Sequence, residues 1–173
     1  MKSKERLAEY PLHESMRGYF GKALYKEMAA NENIWLVTAD LGYKMFDPHF
    51  EDFKDRVINV GASEQAGVGI CVGLALKGKI PFFYSITNFS LYRPYEWLRN
   101  YAEHERVPIK IVGAGRDNDY EHDGWTHQSP DAPKILASLP HIQEYWPENK
   151  EEMDKVIHEV VTNGSPSFIS LRR

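Results

Sequence analysis

The chain alternates two kinds of segment, and that alternation constrains its fold more than any single motif. Short β-branched or aromatic runs, "IWLVTAD", "RVINV", "IPFFYSI", "PIKIVGAG" and "SFISL", read as strands. Between or before them, "SMRGYFGKALYKEMAANEN", "ASEQAGVGICVGLAL", "YEWLRNYAEHE" and "NKEEMDKVIHEVVTN" read as helices. In the first of these, Met16, Tyr19, Phe20, Ala23, Leu24 and Met28 recur at helical spacing, and Ser15 is placed to cap it. Parallel strands need long crossovers, usually helical, and strands covered on both faces are apolar throughout. The expected fold is α/β: a doubly wound parallel sheet with helices on both faces. At 173 residues the chain is expected to form a single domain over 1–173 with a real core.

Composition removes several function classes. A formal net charge of -4 and the lack of any Lys/Arg cluster exclude an electrostatic footprint for nucleic acid. No apolar run reaches 18 residues, so no membrane span is expected. The opening "MKSKERLAEYPLHE" has no apolar core of signal-peptide type. Cys71 is the single cysteine, which excludes an internal disulfide framework and any multi-cysteine metal site; the reducing cytoplasm is the expected compartment.

Glu64 stands apart. It lies in "GASEQAGVG", just after a strand-like run and at the start of an apolar helix, with no evident cation beside it. Gly61, Gly67, Gly69 and Gly73, with Ala62, Ala66 and Ala75, surround it. Each interior glycine costs a helix roughly 1 kcal/mol relative to alanine, so such a helix is expected to press against another backbone or a ligand. The glycine spacing is too irregular for a dinucleotide fingerprint. By helix position alone Glu64 could simply complement the helix dipole, worth about 0.3–1 kcal/mol. The long polar loop "GRDNDYEHDGWTHQSPDAP" is the other place where function is expected.

"TADLG", "NVGASEQAGVGICVGLALKGKIP" and "DGWTHQSPDAPKILASLP" occur in this order, and together they resemble the pyrimidine-binding domain of the transketolase family of thiamine-diphosphate enzymes. The resemblance runs from Arg17 to Leu171. It implies that Glu64 is catalytic, sharing a proton with a ring nitrogen of the cofactor's aminopyrimidine, with desolvation raising its proton affinity. It places Asp40 beside the cofactor and Ile86, Phe89 and Tyr92 around the aminopyrimidine, although Ile86 departs from the family's aromatic. Counting forward from Pro81 and back from Arg99 differs by one residue, which implies an insertion near Pro94. Arg17, Asp123 and His127 match residues that face the sugar substrate, with His127 also assisting proton transfer. Gly115, beside Arg116, stands where the family commonly has a phosphate-binding histidine, a departure that bears on whether the substrate is phosphorylated.

The G-D-G motif of the diphosphate-binding domain does not occur in the sequence, and neither that domain nor the family's third, carboxy-terminal domain is expected on this chain. The resemblance therefore implies the pyrimidine-binding subunit of a split transketolase moving a two-carbon ketol unit between sugars or sugar phosphates. A separate subunit is expected to hold the diphosphate and Mg2+ (or Ca2+), and self-association to give an α2β2 assembly. Metal ligands are not expected on this chain; if the alternating acids Asp117, Asp119, Glu121 and Asp123 bound a cation, it would be by chance alone. The glycine- and alanine-rich face of the Glu64 helix is expected at or near a subunit interface. Two alternatives stay open: the beta subunit of a 2-oxo acid dehydrogenase or decarboxylase, and a non-catalytic module that kept the fold.

Overall fold

The computed structural model describes Leu7, Tyr10 and residues 13–173; most of the stretch read for a leader lies outside the described residues. Six strands form one all-parallel sheet: β1 (Ile34–Thr38), β2 (Val57–Asn59), β3 (Ile80–Ile86), β4 (Lys110–Ala114), β5 (Gln143–Tyr145) and β6 (Ser167–Leu171). Their order across the sheet is β2-β1-β3-β4-β6-β5. Register sets Leu36 beside Phe82, Phe82 beside Lys110, and Lys110 beside Ser167.

Alternate residues along each strand feed two cores, one on each face. Leu36, Phe82, Tyr84, Val112 and Ile169 meet Phe20, Leu24 and Met28 of α1 (Met16–Ala30) and Met153, Ile157 and Val160 of α5 (Lys150–Thr162). Val37, Phe83, Ile111 and Phe168 meet Val68, Cys71 and Val72 of α3 (Glu64–Leu76) and Leu136 of α4 (Ala132–Leu136). The doubly wound reading holds. Ser15 caps α1 as expected, its hydroxyl accepting from the Gly18 amide at 3.1 Å. Asn149 does the same for α5 through the Glu152 amide at 2.9 Å.

Three elements escape the sequence pattern. Strand β5 is a three-residue edge, "QEY", with no apolar run to announce it. The short helix α2 (Asp47–Asp52) has Pro48 in its first turn and buries His49. The helix expected over 95–105 begins earlier, as wide π turns at Asn88–Tyr92 and Leu98–His104 flanking a short α segment, Tyr95–Trp97. Arg93 N donates to Asn88 O at 3.3 Å, five residues back. A π turn takes one more residue than an α turn, which gives room for the one-residue slip near Pro94.

The chain leaves β1 toward the edge at β2, then returns to place β3 on the other side of β1. Loops leaving the carboxyl ends of β1 and β3 therefore diverge, and such a switch point opens a crevice in parallel sheets.

Candidate functional site

Glu64 is the first residue of α3 and is only 5% exposed. It does have a counter-ion, contrary to the reading of its sequence neighbours: Arg93, 29 residues downstream, donates from Nη1 to Oε1 at 2.7 Å. Burying a carboxylate without a cation or donors is costly, and the guanidinium meets that need. The same guanidinium lies over the Phe89 ring, its central carbon 3.8 Å from the centroid. Phe89 in turn packs edge-on against His127, with ring centroids 5.0 Å apart. Glu64, Arg93, Phe89 and His127 thus form one continuous row of contacts, in which Arg93 is the member that local sequence does not reveal. Its weak signal is that it is the first cation in the aromatic stretch from Phe89 to Trp97.

Two hydrogen bonds set this row against the polar loop. Asn88 Nδ2 donates to Gln128 O at 2.6 Å, and the Tyr92 hydroxyl donates to Asp131 Oδ1 at 2.6 Å. Burial, and then the bond to Asp131, push the Tyr92 phenol well above its ordinary range, so it remains a donor. A depression of about 410 Å³ runs between the two segments, lined by Phe89, Tyr92, Arg93 and the exposed Trp125.

Two of the three glycines of α3 make room for side chains of the same chain. A Cβ on Gly67 would come within 2.4 Å of the Phe83 ring, and one on Gly69 within 3.2 Å of the Trp97 ring, whereas Gly73 has nothing within 4 Å. The close neighbours at Gly67 and Gly69 are aromatic rings, which corrects the expectation of a backbone or ligand at those positions.

A second cavity, about 300 Å³, opens at the switch point between β1 and β3. Arg17, Lys44, Tyr84, Ile86 and Tyr120 line it. Arg17 Nη1 donates to the Tyr120 hydroxyl at 3.2 Å, while its buried Nε has no hydrogen-bond partner among the described residues. Ile86, 9% exposed, faces this cavity and is not among the residues lining the Phe89–Tyr92 depression. Asp40 sits exposed after β1 with φ +53, accepting from the Tyr43 hydroxyl at 2.7 Å. Asp123 pairs with His122 at 3.2 Å, while His127 Nδ1 lies 3.0 Å from the Thr126 hydroxyl.

A conserved-domain model described as "Transketolase, pyrimidine binding domain" matches residues 13–173. The chain belongs to this family. One relative, a 6-deoxy-6-sulfo-D-fructose transketolase subunit from Clostridium sp. (strain MSTE9), is 29% identical over 159 residues, covering 91% of this chain and 49% of the relative. Another, an apulose-4-phosphate transketolase subunit from Actinobacillus succinogenes, is 28% identical over 124 residues, 72% of this chain and 40% of the relative. A solved structure titled "Split gene transketolase, inactive beta4 tetramer" superposes with a TM-score of 0.81 at 26% identity, covering 92% of this chain and 52% of that one. This transketolase-family chain spans about half the length of the curated relatives it matches. The family implies dependence on thiamine diphosphate.

Against the family pattern, Gly115 has a structural reason. Its φ is +85, and a Cβ there would stand 2.2 Å from the Tyr120 ring, so Tyr120 fills the space a side chain at 115 would need. Arg116 does not stand in for a phosphate ligand, because it is 4% exposed and committed elsewhere. Its guanidinium pairs with Glu148 and donates to Pro147 O at 2.8 Å and Ser170 O at 2.7 Å. Of the loop acids, Asp119 is likewise engaged, accepting from the amides of Arg116 and Arg173 at 2.9 and 3.0 Å. Among the described residues, no group of three or more His, Cys, Asp or Glu is arranged to hold a metal ion. No helix of the described residues is long and apolar enough to cross a membrane.

Proposed function

We propose that this chain is the pyrimidine-binding subunit of a split, thiamine-diphosphate-dependent transketolase that transfers a two-carbon ketol unit between sugars. The observation that carries the reading is the row Glu64–Arg93–Phe89: a buried carboxylate whose partner is a flat, hydrogen-bond-donating cation stacked on an aromatic face. An aminopyrimidine is also flat, carries ring nitrogens and stacks, so these residues fit that part of the cofactor.

When bound, the cofactor supplies the carbanion-forming carbon that attacks a ketose carbonyl. Glu64 holds a proton at its carboxylate toward the ring nitrogen, and its burial keeps water from competing for that proton. Phe89 and Tyr92 orient the ring, Ile86 lines the neighbouring cavity, and Asp40 follows β1 beside the cofactor in this reading. His127 holds or takes a proton at a substrate hydroxyl, Asp123 accepts from another, and Arg17 contacts the distal end of the sugar. Arg17 and Lys44 in one cavity favour a substrate with an anionic end.

The diphosphate and its Mg2+ (or Ca2+) belong, in this reading, to a separate subunit supplying backbone donors and oxygen ligands. Ala66, Ile70 and Gly73 form an exposed apolar stripe on α3, which suits contact with that subunit or a second copy in an α2β2 assembly. The single buried Cys71 suits a reducing cytoplasm. Mixing the chain with a candidate diphosphate-domain partner and assaying ketol transfer from a ketose to an aldose tests the proposal. Transfer that needs both chains and the cofactor supports it; transfer by this chain alone defeats it. Assaying phosphorylated and unphosphorylated acceptors side by side reports on the anionic end.

A further inference from the structure

We infer that the Arg93 side chain and the cofactor's aminopyrimidine are alternative occupants of one position, so that Arg93 guards the pocket and must swing out before the ring can bind. This rests on the reading of Glu64 given above. Arg93 uses two surfaces at once: Oε1 of Glu64, at 2.7 Å, and the face of Phe89, at 3.8 Å. A ring that hydrogen-bonds Glu64 and stacks on Phe89 needs the same two surfaces. Guanidinium and ring cannot hold both together.

The geometry also says which group yields. The Arg93 side chain is 49% exposed while that of Glu64 is 6% exposed, so the arginine has an open route to water and the carboxylate has none. The backbone at 93 is held, because Gln65 Nε2 donates to Arg93 O at 3.2 Å and the Arg93 amide donates to Asn88 O at 3.3 Å. Exchange is therefore a rotation of one long side chain on a fixed stem. While Arg93 is in place, Glu64 keeps a counter-ion and its Oε1 is taken. Removal of the arginine should raise affinity for the ring, since the competent state no longer has to be vacated first.

The test uses 4-amino-5-hydroxymethyl-2-methylpyrimidine, which carries the ring without diphosphate, titrated into the chain and followed by NMR. In the wild type, the Arg93 side-chain protons should start upfield under the Phe89 ring current and move toward free-arginine positions as probe is added. Arg93→Gln should bind the probe about tenfold or more tightly. Arg93→Lys keeps the charge but cannot lie flat over Phe89, so it should also bind more tightly than wild type; it decides the matter if Arg93→Gln does not fold. Unchanged or weaker binding in these variants, with Glu64→Gln still abolishing it, overturns the guard and leaves the site reading standing. If, at millimolar probe where weak binding still shows, Glu64→Gln binds like wild type or no form of the chain responds, both readings fall.

Discussion

Glu64 and His49 show how burial acts on one residue at a time. Glu64 is buried against a half-exposed arginine, so replacing its charge while keeping its shape should disturb chemistry far more than folding. Glu64→Gln is expected to change stability by no more than about 1 kcal/mol and to lower turnover of the reconstituted enzyme by about 10²–10⁴. Turnover near wild type would remove Glu64 from the mechanism. His49 is enclosed by Tyr10, Tyr25, Phe46 and Phe53, and neither ring nitrogen finds a hydrogen-bond partner among the described residues. Burial pushes it down from 6.5 to about 3. Between those values the unfolded chain binds a proton that the folded chain does not. Stability should therefore fall as pH drops below about 6.5, by about 1.4 kcal/mol per unit, levelling off near 3. Denaturant midpoints at pH 7.5 and 5.0 should converge in His49→Leu relative to wild type; an unchanged gap would mean that other groups carry the acid sensitivity.

Helix α3 carries two kinds of glycine, and they should respond oppositely to alanine. Gly67 faces the fully buried Phe83 ring, so Gly67→Ala must displace a core aromatic and should cost about 1–3 kcal/mol. Gly73 is exposed with open space around it, so Gly73→Ala should add about 0.5–1 kcal/mol through backbone entropy. Thermal melts of the isolated chain check both signs. If both variants destabilise, the space around Gly73 is occupied in solution. The wide turns after β3 belong to this scale as well. They carry Phe89, Tyr92 and Arg93 to the crevice end of the sheet, where an unbroken α-helix from the same residues would present them at a different angle.

For the whole molecule, the question is how much of the cofactor this chain can hold. Its described residues offer a carboxylate and aromatic rings, with no cluster suited to a metal. Most anchoring of a diphosphate comes from charge, metal and fixed backbone donors. Calorimetry of the lone chain with thiamine diphosphate and magnesium should therefore show little heat, and the correct partner should bring tight binding and activity together. Micromolar or better affinity in the lone chain would reveal a diphosphate site here and end the split-subunit proposal.

The periodic and local features were legible in the sequence. Five of the six parallel strands, the Ser15 cap, the burial of Met16, Phe20, Leu24 and Met28, and the placing of Glu64 at a helix start all follow from patterns within a few residues. Hydrophobic periodicity and capping chemistry act at that range. Strand β5 escaped because an exposed three-residue edge has no apolar pattern. The Arg93–Glu64 pair escaped because its partners are 29 residues apart and meet only when the wide turns after β3 pack against the start of α3. Tyr120 filling the space beside Gly115, Arg116 turning away to Glu148, and four aromatic rings closing over His49 are likewise contacts between distant segments. Sequence set which chemistry the chain carries, and tertiary packing decided which groups face one another, because contacts across a sheet depend on register and crossover rather than on neighbouring residues.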